Sequence, residues 1–161
     1  MKQAYLATII ALERMHRQFL EVVKAELETL GIHDINNVQA LILYNIGTDE
    51  LTVGELTHRG YYLGSNVSYN VKKMVENDFL KQERSTHDRR SVRVSLTEKG
   101  LKLRGSIDVM FGRHVEQVSE RIDREELVNA NAGLRKLERF WLQQLGFGPR
   151  ISDDPLFTSA A

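Results

Sequence analysis

Cysteine is absent from the 161 residues, which excludes disulfides, thiolate zinc sites and cysteine redox chemistry. Proline occurs twice, at Pro149 and Pro155. The chain before them lacks the strongest helix breaker, as suits a mainly helical body. Long apolar runs are also missing. The longest are short and broken by charges, and the opening residues run straight into a helical pattern containing Glu13 and Arg14. Neither a membrane span nor a signal peptide is expected, and the expected compartment is the cytoplasm. Neither charge sign is in excess, with 22 Lys+Arg against 22 Asp+Glu. A neutral chain argues at first against a nucleic-acid partner.

The distribution of charge argues the other way. Residues 55–104 hold eleven Lys/Arg and six Asp/Glu, a balance of +5, so the remainder carries −5. A basic middle between acidic ends is the asymmetry of a chain in which one lobe meets phosphate. Chance fluctuation in surface charge is the plain alternative. The length suits one domain, or two lobes of one folded unit.

Periodicity places the elements. Ile9, Leu12, His16, Phe19, Val23, Leu27 and Leu30 recur at three- and four-residue steps, predicting a first helix from about Gln3 to Leu30 that ends at Gly31. Asn36 with Gln39 reads as a capping box opening a helix through Ile46, stopped by Gly47. Thr52-Val53-Gly54-Glu55 repeats that logic for a short helix to about Arg59. The next helix starts near Gly64-Ser65 with Val67, Val71, Met74 and Val75 on one face. Its opposite face shows Ser65, Asn66, Tyr69, Lys72, Lys73 and Glu76, with Asn70 at the margin. Asn77 and Asp78 can take the left-handed conformation that ends it.

Leu80 to Arg84 and the alternating Val92-Arg93-Val94-Ser95-Leu96 then read as two strands flanking a turn with Arg89 and Arg90 at its tip. Thr97-Glu98-Lys99 opens a fifth helix striped by Leu103, Ile107, Phe111, His114 or Val115, Val118 and Ile122. A sixth opens near Asp123 and carries Leu127, Ala130, Leu134, Leu137, Trp141 and Leu145 before Gly146. The fold expected is mainly α with a small β-hairpin (α+β), in the order ααααββαα. It divides into a terminal helix at 1–34, a winged helix-turn-helix at 35–100, helices at 97–146 and a loop-like tail at 147–161. The long terminal helices are apolar along stripes that a small central lobe cannot cover. They are expected to pack on each other and on a second copy, with an intramolecular bundle as the alternative.

A helix followed by an arginine-tipped hairpin suits DNA: helix in the major groove, tip on the backbone or in the minor groove. Asn66 and Asn70 are suited to bidentate pairing with adenine, and Ser65, Ser68 and Tyr69 to base edges or phosphates. Ser65 is equally an N-cap. Lys72 and Lys73 fit phosphates or plain solvated surface. Arg89 and Arg90 have no core to serve at a hairpin tip, while Arg84 and Arg93 fit backbone contacts or cross-strand pairs. The five histidines form no metal-ligating pair, and there is no nucleophile elbow, Walker loop or paired-carboxylate constellation. No cofactor, metal or enzymatic activity is expected. A winged-helix module that binds protein instead of DNA is the remaining alternative.

The run Asp88-Arg89-Arg90-Ser91-Val92-Arg93-Val94-Ser95-Leu96-Thr97-Glu98-Lys99-Gly100 resembles the wing signature of the MarR family of bacterial winged-helix transcription regulators. Thr52 to Leu56 and Gln39 match the family at the helices before the recognition helix, and the resemblance extends from the first helix to about Leu145. It implies a homodimer with interlocked terminal helices, a palindromic operator in double-stranded DNA, and a small-molecule effector, aromatic or phenolic, that lowers affinity for it. Such a protein would be a repressor or a dual regulator. It also implies that Arg90 reaches the minor groove or is braced by Asp88. His16, Phe19, Tyr44, Tyr62, Phe111 and His114 are then candidate walls of an effector cavity, although His16 and His114 better suit half-buried structural positions on their apolar stripes. Gly31 to Asn36 and Tyr61 to Asn66 resemble the LdtR-like branch, which implies control of cell-wall L,D-transpeptidase genes. Asp78 departs from the family pattern, standing where many members have glycine.

Overall fold

The structure, a computed structural model, describes residues 1–58, 66–84 and 92–146. Its elements are α1 (Lys2–Thr29), α2 (Asn37–Ile46), β1 (Leu51–Thr52), α3 (Val53–His58), α4 (Asn66–Glu76), β2 (Leu80–Arg84), β3 (Val92–Leu96), α5 (Glu98–Ser119) and α6 (Arg124–Gln144). No described helix is long and apolar enough to cross a membrane.

Local chemistry sets most boundaries. Asn36 Oδ1 accepts from the Gln39 N–H at 2.8 Å while Gln39 Oε1 accepts from the Asn36 N–H at 3.1 Å, a closed capping box on α2. Thr52 and Glu55 form the same reciprocal pair at α3, and Asp123 and Glu126 at α6. At the end of α4, the Phe79 N–H reaches the Met74 carbonyl and the Asp78 N–H the Val75 carbonyl. This Schellman motif requires a left-handed residue, and Asp78 supplies it at φ +60°. Buried Phe79 packs in the core with buried Met74, the apolar contact such a motif favours.

The expected fold class holds, and the sheet adds a short strand to the expected order. It has three antiparallel strands arranged β1-β3-β2, because Leu51 and Thr52 pair with Val94 and Arg93. Two residues are too few to display period-two alternation, so this strand exists only through the edge that β3 offers it. The hairpin has the expected strands, in register from Leu80↔Leu96 to Arg84↔Val92. Thr97 caps α5 by accepting from the Gly100 N–H, and its own N–H donates to the Phe79 carbonyl at 3.1 Å. A Cβ on Gly100 would lie 2.3 Å from that carbonyl oxygen, so the glycine of the wing signature is a packing requirement.

The core lies between α2, α4, the sheet and the first half of α5. Ile42, Leu43, Ile46, Val67, Val71, Met74, Phe79, Leu80, Val94, Ile107 and Met110 fill it, joined by Val23 and Leu27 from the end of α1. On α5 the stripe departs from expectation. Met110 is buried beside Leu103 and Ile107, whereas Val115, Val118 and Ile122 are exposed. Among the described residues the apolar stripe of α6 finds no burial. Its indole Trp141 Nε1 donates to the Tyr5 hydroxyl on α1 at 3.2 Å.

Candidate nucleic-acid interface

Burial of Val67, Val71 and Met74 turns one side of α4 to the core and leaves the opposite side chains facing outward. Asn66, Ser68, Tyr69 and Lys72 are exposed and Lys73 is half-buried, with Tyr69 at 61% exposure. The face holds hydrogen-bonding groups toward its N-terminal end and two cations further along.

Asn70 is a correction. Expected at the margin of the outward face, it is 9% exposed and its Oδ1 accepts from Gln39 Nε2 at 3.1 Å. It sits about 60° round the helix from Val67, and α2 lies over that sector. No signal within α4 marks this. The clue was Gln39, a polar residue at an inward position next to the apolar run Ala40 to Leu43.

The two lysines share one carboxylate. Lys73 Nζ lies 2.7 Å and Lys72 Nζ 3.9 Å from Glu76. The hydrogen bond from Lys73 holds the Glu76 carboxyl below its ordinary range, with the charges of both lysines adding to the effect. The Lys73 ammonium is raised by the same bond. Exposed pairs of this kind are weak and exchangeable, so phosphates can take both ammonium groups from Glu76.

On the hairpin, Arg84 closes β2 and is exposed. Arg93 faces Glu83 across the strands and reaches Glu50 at 3.9 Å. Ser65, Tyr62, Asp88, Arg89 and Arg90 lie outside the described residues.

Of the six cavity-wall candidates, the fold brings four together. The Phe111 ring lies 5.0 Å from Tyr44, 6.1 Å from Phe19 and 6.4 Å from His114, centre to centre. The Tyr44 hydroxyl donates to Asp108 at 3.0 Å. Partial burial, then this bond, raises its pKa above the usual phenol value. Arg104 lies over the Tyr44 ring at 5.6 Å; neither Arg104 nor Asp108 was singled out from sequence. His16 is exposed on α1 and stands apart, which corrects its place in the half-buried stripe. Two cavities, of about 320 and 340 Å³, lie elsewhere, on either side of Asp34. Asp34 pairs with Lys99, whose ammonium also donates to the Asn77 carbonyl at 2.9 Å. This clasp ties the α1–α2 loop and the end of α4 to the start of α5.

A winged-helix DNA-binding domain matches residues 35–100. The exopolysaccharide II synthesis transcriptional activator ExpG of Rhizobium meliloti is 37% identical over 145 residues, covering 89% of this chain and 75% of that protein. Among solved structures, Streptococcus pneumoniae FabT in complex with DNA superposes with TM-score 0.71 at 21% identity, covering 88% of this chain and 99% of that one. The S. aureus MepR–DNA complex gives 0.69 at 19%, covering 82% and 96%. Apo MarR from E. coli gives 0.58 at 17%, covering 79% and 93%.

The fold, the matched DNA-binding domain and the 37% identical transcriptional activator together define a DNA-binding transcription regulator of the winged-helix class. The chain belongs to the MarR family of such regulators, which are not enzymes.

Proposed function

We propose that the protein acts in the cytoplasm as a homodimer on a palindromic operator. One observation carries this reading. A polar and cationic helix face stands in the middle of the chain, and the helices that follow it carry apolar residues left exposed among the described residues, including Val115 at 68% and Leu145 at 58% exposure. The uncovered stripes of α5 and α6 suit a second copy of the same helices, which would make 1–34 and 97–146 the dimerisation lobe. In this reading Ser65, Asn66, Ser68 and Tyr69 enter the major groove, Lys72, Lys73, Arg84 and Arg93 meet the backbone, and Asp88, Arg89 and Arg90 form the wing tip. Two-fold symmetry then sets half-sites about one helical turn, roughly 10 bp, apart or slightly more.

An aromatic or phenolic ligand between the lobes, at Phe19, Tyr44, Phe111 and His114, would release the operator, and by linkage DNA would weaken that ligand equally. The resemblance to the LdtR-like branch and the 37% identity to an exopolysaccharide activator both favour genes of envelope carbohydrate as targets. The relative's activating role favours dual regulation over simple repression.

Titrating the purified protein against its own upstream DNA with nonspecific competitor, followed by footprinting, tests the reading. A symmetric protected site is expected. Full-affinity protection of one asymmetric half-site would overturn the dimeric palindrome, and wild-type DNA affinity in Lys72→Ala together with Arg90→Ala would return the protein-binding alternative.

A further inference from the structure

Gln39 and Asn70 are the buried polar residues among those described, and they bond to each other. Gln39 does three things at once. Its backbone N–H donates to Asn36 Oδ1, its Oε1 accepts from the Asn36 N–H, and its Nε2 donates to Asn70 Oδ1. A side chain already fixed by the N-terminal cap of α2 thus holds α4 by a directed bond. Apolar contacts alone would not hold rotation so tightly. Dispersion and burial are non-directional, so Val67, Val71 and Met74 confine the roll of α4 to a range, whereas a hydrogen bond demands a distance and an angle.

The magnitude matters for reading DNA. Side-chain groups lie about 5–6 Å from a helix axis, so a roll of about 20° moves them about 2 Å. A bidentate base contact tolerates a few tenths of an ångström, while a lysine on a phosphate follows the backbone with ease. Asn66 is four residues before Asn70 and Tyr69 is adjacent, so any roll released at Asn70 is carried directly to them.

We infer that Gln39 and Asn70 form a specificity-determining positioning pair, setting the roll of α4 against α2 without touching DNA. This rests on the reading of α4 as the recognition helix. The pair contributes to discrimination between base sequences and little to general attraction for the duplex.

The test uses the full chain, with a duplex bearing the site that the wild type protects and a scrambled duplex of equal length. Gln39→Met with Asn70→Leu removes both partners of the buried bond, though it leaves the Asn36 N–H at the start of α2 without its side-chain acceptor. The fold should survive with a melting point within several degrees of wild type. Anisotropy titrations should show scrambled-duplex affinity unchanged and operator affinity reduced at least tenfold. Asn70→Ala alone, which leaves the Asn36–Gln39 cap intact, should lose discrimination in the same way and keeps the test open if the double variant does not fold. A wild-type operator-to-scrambled ratio in either folded variant overturns the inference. A wild type that prefers neither duplex would overturn the recognition reading of α4, and this inference with it.

Discussion

The winged lobe and the long terminal helices show two fates of apolar sequence. In the lobe, apolar residues from α2, α4, the sheet and α5 meet within one chain, and Leu43, Met74, Phe79 and Val94 are closed off from water. On α6, Leu127 and Leu134, with Leu145 at its end, lie exposed although they follow helical spacing just as faithfully. The change occurs within α5 itself, between buried Met110 and exposed Val115. Amphipathic spacing therefore states that a face wants cover, and says nothing of whether the cover is in the same chain.

The largest expected effects would break that contrast outright. Leu43→Ala should lower unfolding stability by about 2–5 kcal/mol, as truncation in a closed core does, measured by denaturant titration. Removing residues from Leu134 onward should have a comparable outcome by the other route, yielding unfolded or insoluble chain because α1 loses its contact with Trp141 and the proposed dimer loses its seam. A well-folded monomer after that truncation would show that the terminal helices need no second copy. Subtler is the concentration dependence of melting. If a second chain covers α5 and α6, the full-length melting point should rise with protein concentration, and Val115→Asp should abolish that rise while leaving the lobe folded.

On the DNA-facing side the effects are smaller. Asn66→Ala should relax sequence preference by about 1–3 kcal/mol at one base pair per half-site. Lys72→Ala should weaken binding evenly across sequences and shrink the salt slope by about one unit. Glu76→Gln, which frees both lysines, should strengthen binding to every duplex. Protonation of Glu76 acts in the same direction. Because its carboxyl is held below the ordinary range, the pairing with Lys73 persists above that range and is lost only as pH falls through the lowered value. Anisotropy on operator and scrambled duplexes at two salt concentrations separates these outcomes.

Smallest of all is Asp78→Gly. The left-handed φ of +60° is tolerated by aspartate and free of steric cost for glycine. The change should therefore stabilise the lobe by about 1 kcal/mol or less, part of the gain being offset by the looser unfolded chain.

Element ends were written in the sequence because their causes are local. The boxes at Asn36–Gln39, Thr52–Glu55 and Asp123–Glu126, the Thr97 cap and the stops at Gly31 and Asp78 each involve groups within a few residues. The alternation of Val92 to Leu96 likewise shows its two faces without reference to any partner. What needed tertiary structure was whatever joins distant segments. The pairing of Leu51 with Val94 made a third strand from two residues. Met110 was drawn inward past the stripe expected from spacing. Asp34 met Lys99 and Asn77 from far along the chain. Asn70, polar and seemingly outward, was taken into the core because Gln39, 31 residues earlier, had an amide N–H to give it. Spacing along a helix sets only angles about its own axis. Which angle becomes inside depends on what the rest of the chain packs there.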